Sequence, residues 1–117
     1  MKKLIDSFKY AMNGLVIVFR EERNFKIHII ASIVVIILAA YLEVSNQDFA
    51  ILVIAIALVL IAEVFNTVVE SILDFISPEY DFNVKKIKDL AAGAVFLAAT
   101  FAIIIGVLVF SPHFIRK

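Results

Sequence analysis

The chain contains no cysteine, no tryptophan, two prolines and three glycines in 117 residues. Without cysteine there is no disulfide, no thiolate metal site and no thiol nucleophile. The glycines, Gly14, Gly93 and Gly106, stand apart, so neither GxxxxGKS/T nor GxGxxG is present. An excess of charge of one sign is missing too. Eleven Lys and Arg balance eleven Asp and Glu, which gives no basic footprint for nucleic acid. His28 and His113 lie far apart and have no metal-ligand spacing. His28 reads as a polar head at the start of an apolar helix.

What the chain has in abundance is apolar surface: 63% of its residues are hydrophobic, and its mean hydropathy is +1.03. Soluble domains run nearer 45–50% apolar. So short a chain buries too small a fraction of its surface to hide this excess in a water-soluble core. A bilayer is the simplest environment that receives it. The N-terminal lysines do not mark a secretory signal, because Asp6, Lys9 and Asn13 interrupt any apolar run there.

The hydrophobic pattern predicts an all-α membrane protein of one domain. Leu4, Phe8, Met12, Leu15, Val16 and Phe19 recur at helical spacing, with Lys2, Lys3, Asp6, Lys9 and Asn13 on the other side. This segment, about 4–19, is too polar to span and suits a helix lying in the membrane interface; an ordinary amphipathic helix packed on protein is the plainer alternative. Three spanning helices follow, at about 27–44, 49–76 and 86–110. The second stops at Ser77-Pro78, because the residue before proline disfavours helical backbone. The tail after 110 is short. Lys2, Lys3, Lys9, Arg20, Arg23 and Lys26 precede the first span, and Lys85, Lys86 and Lys88 precede the third. The connection between the first and second spans carries no Lys or Arg. The positive-inside rule therefore places the N-terminus and the second connection in the cytoplasm, against Arg116 and Lys117 at the outer end.

Chemistry concentrates on the second span. Glu63, Asn66, Glu70 and Asp74 are spaced three, four and four residues apart and share one helix face, with Thr67 beside them. A helix over 49–76 is roughly 42 Å long at about 1.5 Å per residue, against a hydrocarbon core of about 30 Å. Its cytoplasmic end projects by roughly 12 Å. Glu63 falls inside the inner leaflet and can reach a lipid head group, whereas Glu70 and Asp74 reach the interface and a water-soluble partner. Carboxylates at membrane depth are expensive and usually functional, and one as deep as Glu63 needs a partner or a proton. Asp74 can equally be a carboxylate leaving the membrane with its helix. Glu22, at the foot of the first span, can join Glu70 on a divalent cation; magnesium favours a few carboxylates with phosphate oxygens and water. The other reading of Glu22 is a solvated charge. Lys88 can pair with phosphate or serve as an interfacial anchor. Gly93 with Ala91, Ala92, Ala94, Ala98, Ala99 and Ala102 makes a small-residue face suited to close helix packing in lipid. Three thin helices do not enclose both a nucleotide and a lipid, so oligomerisation is expected.

These residues resemble the prokaryotic integral-membrane diacylglycerol kinase family, which includes the undecaprenol kinases of Gram-positive bacteria. The resemblance rests on AEVFNTVVESILDF at 62–75 and KIKDLAAGAV at 86–95, with NGL at 13–15 and EERNF at 21–25 in the same register, and covers nearly the whole chain. It implies a homotrimer that phosphorylates a membrane lipid alcohol with Mg-ATP, with three spanning helices and a surface helix. It implies that Glu63 is the general base, that Asn66 helps set the site, and that Glu22 and Glu70 hold magnesium on ATP. It matches Lys88, Asp89, Tyr10 and the loop residues Glu79, Tyr80 and Asp81 to nucleotide contacts, Asp81 through its backbone. Lys3 stands where the Gram-negative enzymes have an arginine; it keeps the charge without the fork geometry.

The EERNFKIH and NVKKIKDLAAGAV forms and the lack of tryptophan look Gram-positive, which favours undecaprenol over diacylglycerol as acceptor. The competing class is a non-enzymatic, ion-coupled small membrane protein. It calls for a polar path to both faces, and Phe49 to Ala62 is wholly apolar.

Overall fold

The computed structural model describes residues 1–115; Arg116 and Lys117, the two charges expected at the outer end, lie outside the described residues. Four helices follow one another: α1 (Lys2–Glu21), α2 (Arg23–Tyr41), α3 (Asn46–Ile76) and α4 (Phe82–Ile115). The last three are long and apolar enough to cross a membrane. Helices are what an apolar solvent demands, since each backbone N–H and C=O then finds its partner within its own segment.

The helices are longer than the hydrophobic pattern alone suggests. The charged run from Arg20 to Lys26 is not a linker. It is helical except at Glu22, whose extended backbone (φ −107°, ψ 110°) is the whole joint between α1 and α2. Arg, Lys and Glu are good helix formers, so charge there moves the helix surface into water without ending the helix. At the other terminus α4 continues past Ser111 and Pro112 to Ile115. Pro112 lacks the N–H that would bond one turn back, and so near the helix end that loss is confined to the final turn.

α2 ends earlier than the apolar run, at Tyr41, in a tight reversal. Glu43 adopts a left-handed φ of 54°. Its N–H donates to the Ala40 carbonyl and the Val44 N–H to the Ala39 carbonyl, both at 3.2 Å. This is the paired hydrogen-bond pattern that closes helix C-termini, with Glu43 in the position glycine usually takes. Ser45 then caps α3, its hydroxyl accepting from the Asp48 N–H at 3.0 Å.

Around this reversal sits the small core of the chain. Ala39, Leu52 and Val109 are buried together, with Val35, Val44, Phe49, Ile105 and Phe110 packed on them. α3 pairs most extensively with α4 and next with α2. Much of the remaining apolar surface faces outward, Ile54, Phe96 and Ile103 among it. The result is a thin body of 57 × 44 × 20 Å, held at one end by packing and carrying its polar residues towards the other.

Leu52→Ala should therefore lower thermal stability in detergent by about 2–3 kcal/mol, because it leaves a cavity where three helices meet. Ile54→Ala, on the outward face two residues along, should cost less than about 1 kcal/mol. Equal losses in melting experiments would show that the core is elsewhere.

Candidate active site

The polar stripe of α3 is graded by burial. Glu63 is 2% exposed and Asn66 9% exposed; Glu70 is half-buried and Asp74 exposed. The three-and-four spacing holds the four on one face, and the helix passes out of its packing as it approaches Ile76. With α3 starting at Asn46 rather than Phe49, the helix is roughly 46 Å long. About 16 Å of it then exceeds a hydrocarbon core of about 30 Å.

The two deep residues are poorly satisfied within the chain. Asn66 Oδ1 is buried with no hydrogen-bond partner. Glu63 belongs to neither ion pair found among the described residues. Thr67 does not help, because its hydroxyl donates to the Glu63 carbonyl at 3.0 Å. An unpaired buried amide oxygen costs about 1–3 kcal/mol, so the pair Glu63 and Asn66 is arranged for something other than stability.

Other elements converge on the stripe. Glu22, at the joint between α1 and α2, lies within electrostatic reach of both Glu63 and Glu70. Lys88 of α4 reaches Glu70 in the same sense and donates a hydrogen bond to Asp74 Oδ1 across the α3–α4 connection. That connection is short. The Ser77 N–H closes α3 on the Leu73 carbonyl at 2.8 Å. Asp81 Oδ1 then accepts from the Asn83 and Val84 N–H groups at 2.8 and 3.4 Å, capping α4. The Asp81 side chain is thus occupied by its own helix. Glu79, Tyr80 and Asp81 line a shallow hollow of about 280 Å³ with Lys88.

The chain does not bring every expected residue to this cluster. Asp89 pairs with Lys85 at 2.7 Å, one helical turn away, and lies on the neighbouring face of α4 with Lys86, Leu90 and Gly93. Lys3 and Tyr10 are exposed on α1 and make no side-chain hydrogen bond or ion pair among the described residues. Among the described residues, no three metal-ligating side chains gather at one point.

One residue was undervalued by sequence reasoning. His28 is no free polar head. It is half-buried, lies within electrostatic reach of Glu63, and faces a groove lined by Ser32, Val59 and Ala102. Counting inward from the helix ends would have found it: His28 is roughly 7.5 Å inside α2, close to the depth of Glu63 once the projecting end of α3 is subtracted.

The chain neighbours of Glu63 line an apolar groove of about 670 Å³. It runs between α1, α2 and α3, with Leu60, Ile61 and Val64 on its floor and Arg20 as its charged member. Apolar groove, buried carboxylate and a loop-framed hollow of mixed charge therefore succeed one another from α3 to the start of α4.

The model of the prokaryotic diacylglycerol kinase family matches residues 9–110. The chain belongs to that family. It is 40% identical over 104 residues to a diacylglycerol kinase of Synechocystis sp., which covers 88% of this chain and 59% of that relative's length. It is 34% identical over 112 residues to the undecaprenol kinase of Bacillus subtilis, covering 96% of this chain and 91% of the relative. The diacylglycerol kinase of Escherichia coli is 27% identical over 112 residues. The enzyme class implied by the family resemblance, a lipid kinase, stands, and the non-enzymatic ion-coupled reading is set aside.

Asn66→Leu should raise the melting temperature of this membrane kinase, by about 1 kcal/mol of stability, because it removes an unpaired buried amide. The same change should abolish turnover. Loss of stability in that variant would mean that Asn66 is satisfied in the working assembly.

Proposed function

We propose that this lipid kinase transfers the γ-phosphoryl group of Mg-ATP to the hydroxyl of a membrane lipid alcohol, with undecaprenol as the acceptor. The observation that carries the reading is the burial gradient along α3. Its inner end holds the buried carboxylate of Glu63, whose chain neighbours Ile61, Val64 and Phe65 line an apolar groove. Its outer end presents carboxylates and a lysine to water.

In this reading Glu63 is the general base. It takes the hydroxyl proton as the lipid oxygen attacks the γ-phosphorus, and ADP leaves. Asn66 offers its amide to the same hydroxyl or to Glu63 and so orients them. Phosphoryl transfer asks for positioning and charge neutralisation more than covalent chemistry. Lys88 supplies positive charge for the phosphates, and the hollow with Glu79, Tyr80 and Asp81 receives the nucleotide. Glu22 and Glu70 would hold magnesium; two carboxylates suit an ion that takes its remaining ligands from phosphate and water. When bound, the ion neutralises phosphate charge.

The groove supports undecaprenol as the acceptor. A polyprenol brings one hydroxyl and an otherwise apolar chain. Diacylglycerol brings two ester groups in addition, and the groove offers them little beyond Arg20. The name of the Synechocystis relative makes diacylglycerol the second reading. The same proposal sets α1 in the interface of a bacterial cell membrane, with the N-terminus and the site cytoplasmic, as the distribution of Lys and Arg supports. It takes the working form to be a homotrimer. Gly93 supports this, since nothing in the chain lies within 4 Å of where a Cβ there would stand, leaving room for a helix of another copy. Tyr10, Asp89 and Lys3, apart from the cluster in one chain, are the residues a neighbouring copy would bring to the nucleotide.

Purified protein given labelled ATP and magnesium in mixed micelles should phosphorylate undecaprenol several-fold faster than diacylglycerol. The reverse order would reassign the acceptor, and transfer to neither would refute the kinase reading. Glu63→Gln should lower turnover by about 10²–10⁴-fold and leave nucleotide binding intact.

A further inference from the structure

Asp74 is the stripe residue for which the sequence offers the plainest alternative, a carboxylate leaving the membrane with its helix. The structure gives it a partner. It lies one helical turn beyond Glu70 and accepts a hydrogen bond from Lys88 Nζ, fourteen residues on and across the α3–α4 connection. Asp74 is two-thirds exposed and Lys88 one-third. A pair this exposed adds little to stability, so its consequence is geometric.

We propose that Asp74 is a positioning residue for phosphoryl transfer: it holds the Lys88 ammonium at the mouth of the nucleotide hollow and away from Glu70. The assignment rests on the kinase reading above. Lysine carries a point charge on a flexible four-carbon stem with three N–H donors. One donor on Asp74 fixes the stem and leaves two for phosphate oxygens. Lys88 already lines the hollow with Glu79, Tyr80 and Asp81, so the pair also latches the end of α3 to the start of α4 on either side of the loop that frames it.

The charges nearby explain why a second carboxylate is needed. Glu70 lies within electrostatic reach of Lys88, Asp74 and Glu22. Without Asp74, the counter-ion left to Lys88 on α3 is Glu70. A lysine seated there would occupy a carboxylate assigned to magnesium and withdraw its own charge from the phosphates. Asp74 keeps the two functions apart. Lys85 also lines the hollow, but Asp89, one turn along α4, holds its ammonium at 2.7 Å.

A double-mutant cycle on the full-length protein in mixed micelles tests this. Asp74→Asn should raise the KM for Mg-ATP about twofold to fivefold, the range of an exposed charge pair, and leave the KM for the lipid unchanged. Asp74→Glu should recover part of the loss. In a Lys88→Gln background, Asp74→Asn should add nothing, in KM and in the equilibrium binding of a non-hydrolysable Mg-ATP analogue. Losses that multiply in the double variant would overturn the assignment, as would a shift confined to the lipid KM or no shift at all. A wild-type protein inactive on both lipids would instead overturn the kinase reading. An active wild type with independent losses would remove the role of Asp74 alone.

Discussion

The cost of placing polar groups in an apolar solvent organises this molecule. Each peptide group must find its partner within its own helix, and each charged side chain must reach water, a counter-charge or a substrate. α3 meets both demands on one element. From Phe49 to Ala62 it is uniformly apolar, and its later turns carry Glu63, Asn66, Glu70 and Asp74 on a single face, ordered by burial. A lipid hydroxyl and a nucleotide come from different phases. A helix that crosses the boundary obliquely in polarity is a direct way to bring them together.

Stability and chemistry are kept at opposite ends of the bundle. The packed cluster of Ala39, Leu52 and Val109, with the closed reversal at Glu43 and the Ser45 cap, holds the helices where no polar stripe runs. Towards the other end Glu63 and Asn66 are buried in turn, and Asn66 Oδ1 is left without a hydrogen-bond partner. Such unsatisfied groups lower stability and are the usual mark of a site. Here the closed end supplies the rigidity that the open end gives up.

Much of this was legible in the sequence. Apolar runs and Ser77-Pro78 located the three spans, because hydrophobicity and proline act locally. The stripe was legible because helical spacing fixes which residues share a face. Helix ends were less so. The Glu22 joint and the continuation through Pro112 depend on backbone angles that residue types leave open, and Glu43 adopts a conformation its side chain disfavours. Contacts between elements were least legible. Nothing in the spacing says that Lys88 turns to Asp74, or that His28 comes within electrostatic reach of Glu63. Those pairings depend on how α2 and α4 are rotated about their axes, which only packing decides.

The joint at Glu22 has one more consequence. α1 and α2, the first helix long and apolar enough to span a membrane, meet at a single extended residue, and that residue lies within electrostatic reach of Glu63 and Glu70. The chain has no slack there. One residue added between Glu21 and Arg23 would swing one helix by about 100° relative to the other and carry the carboxylate away from α3. Changes in length can be absorbed before α1, in the loop after α3 or beyond α4. At the elbow, sequence length itself sets where the Glu22 carboxylate stands against α3.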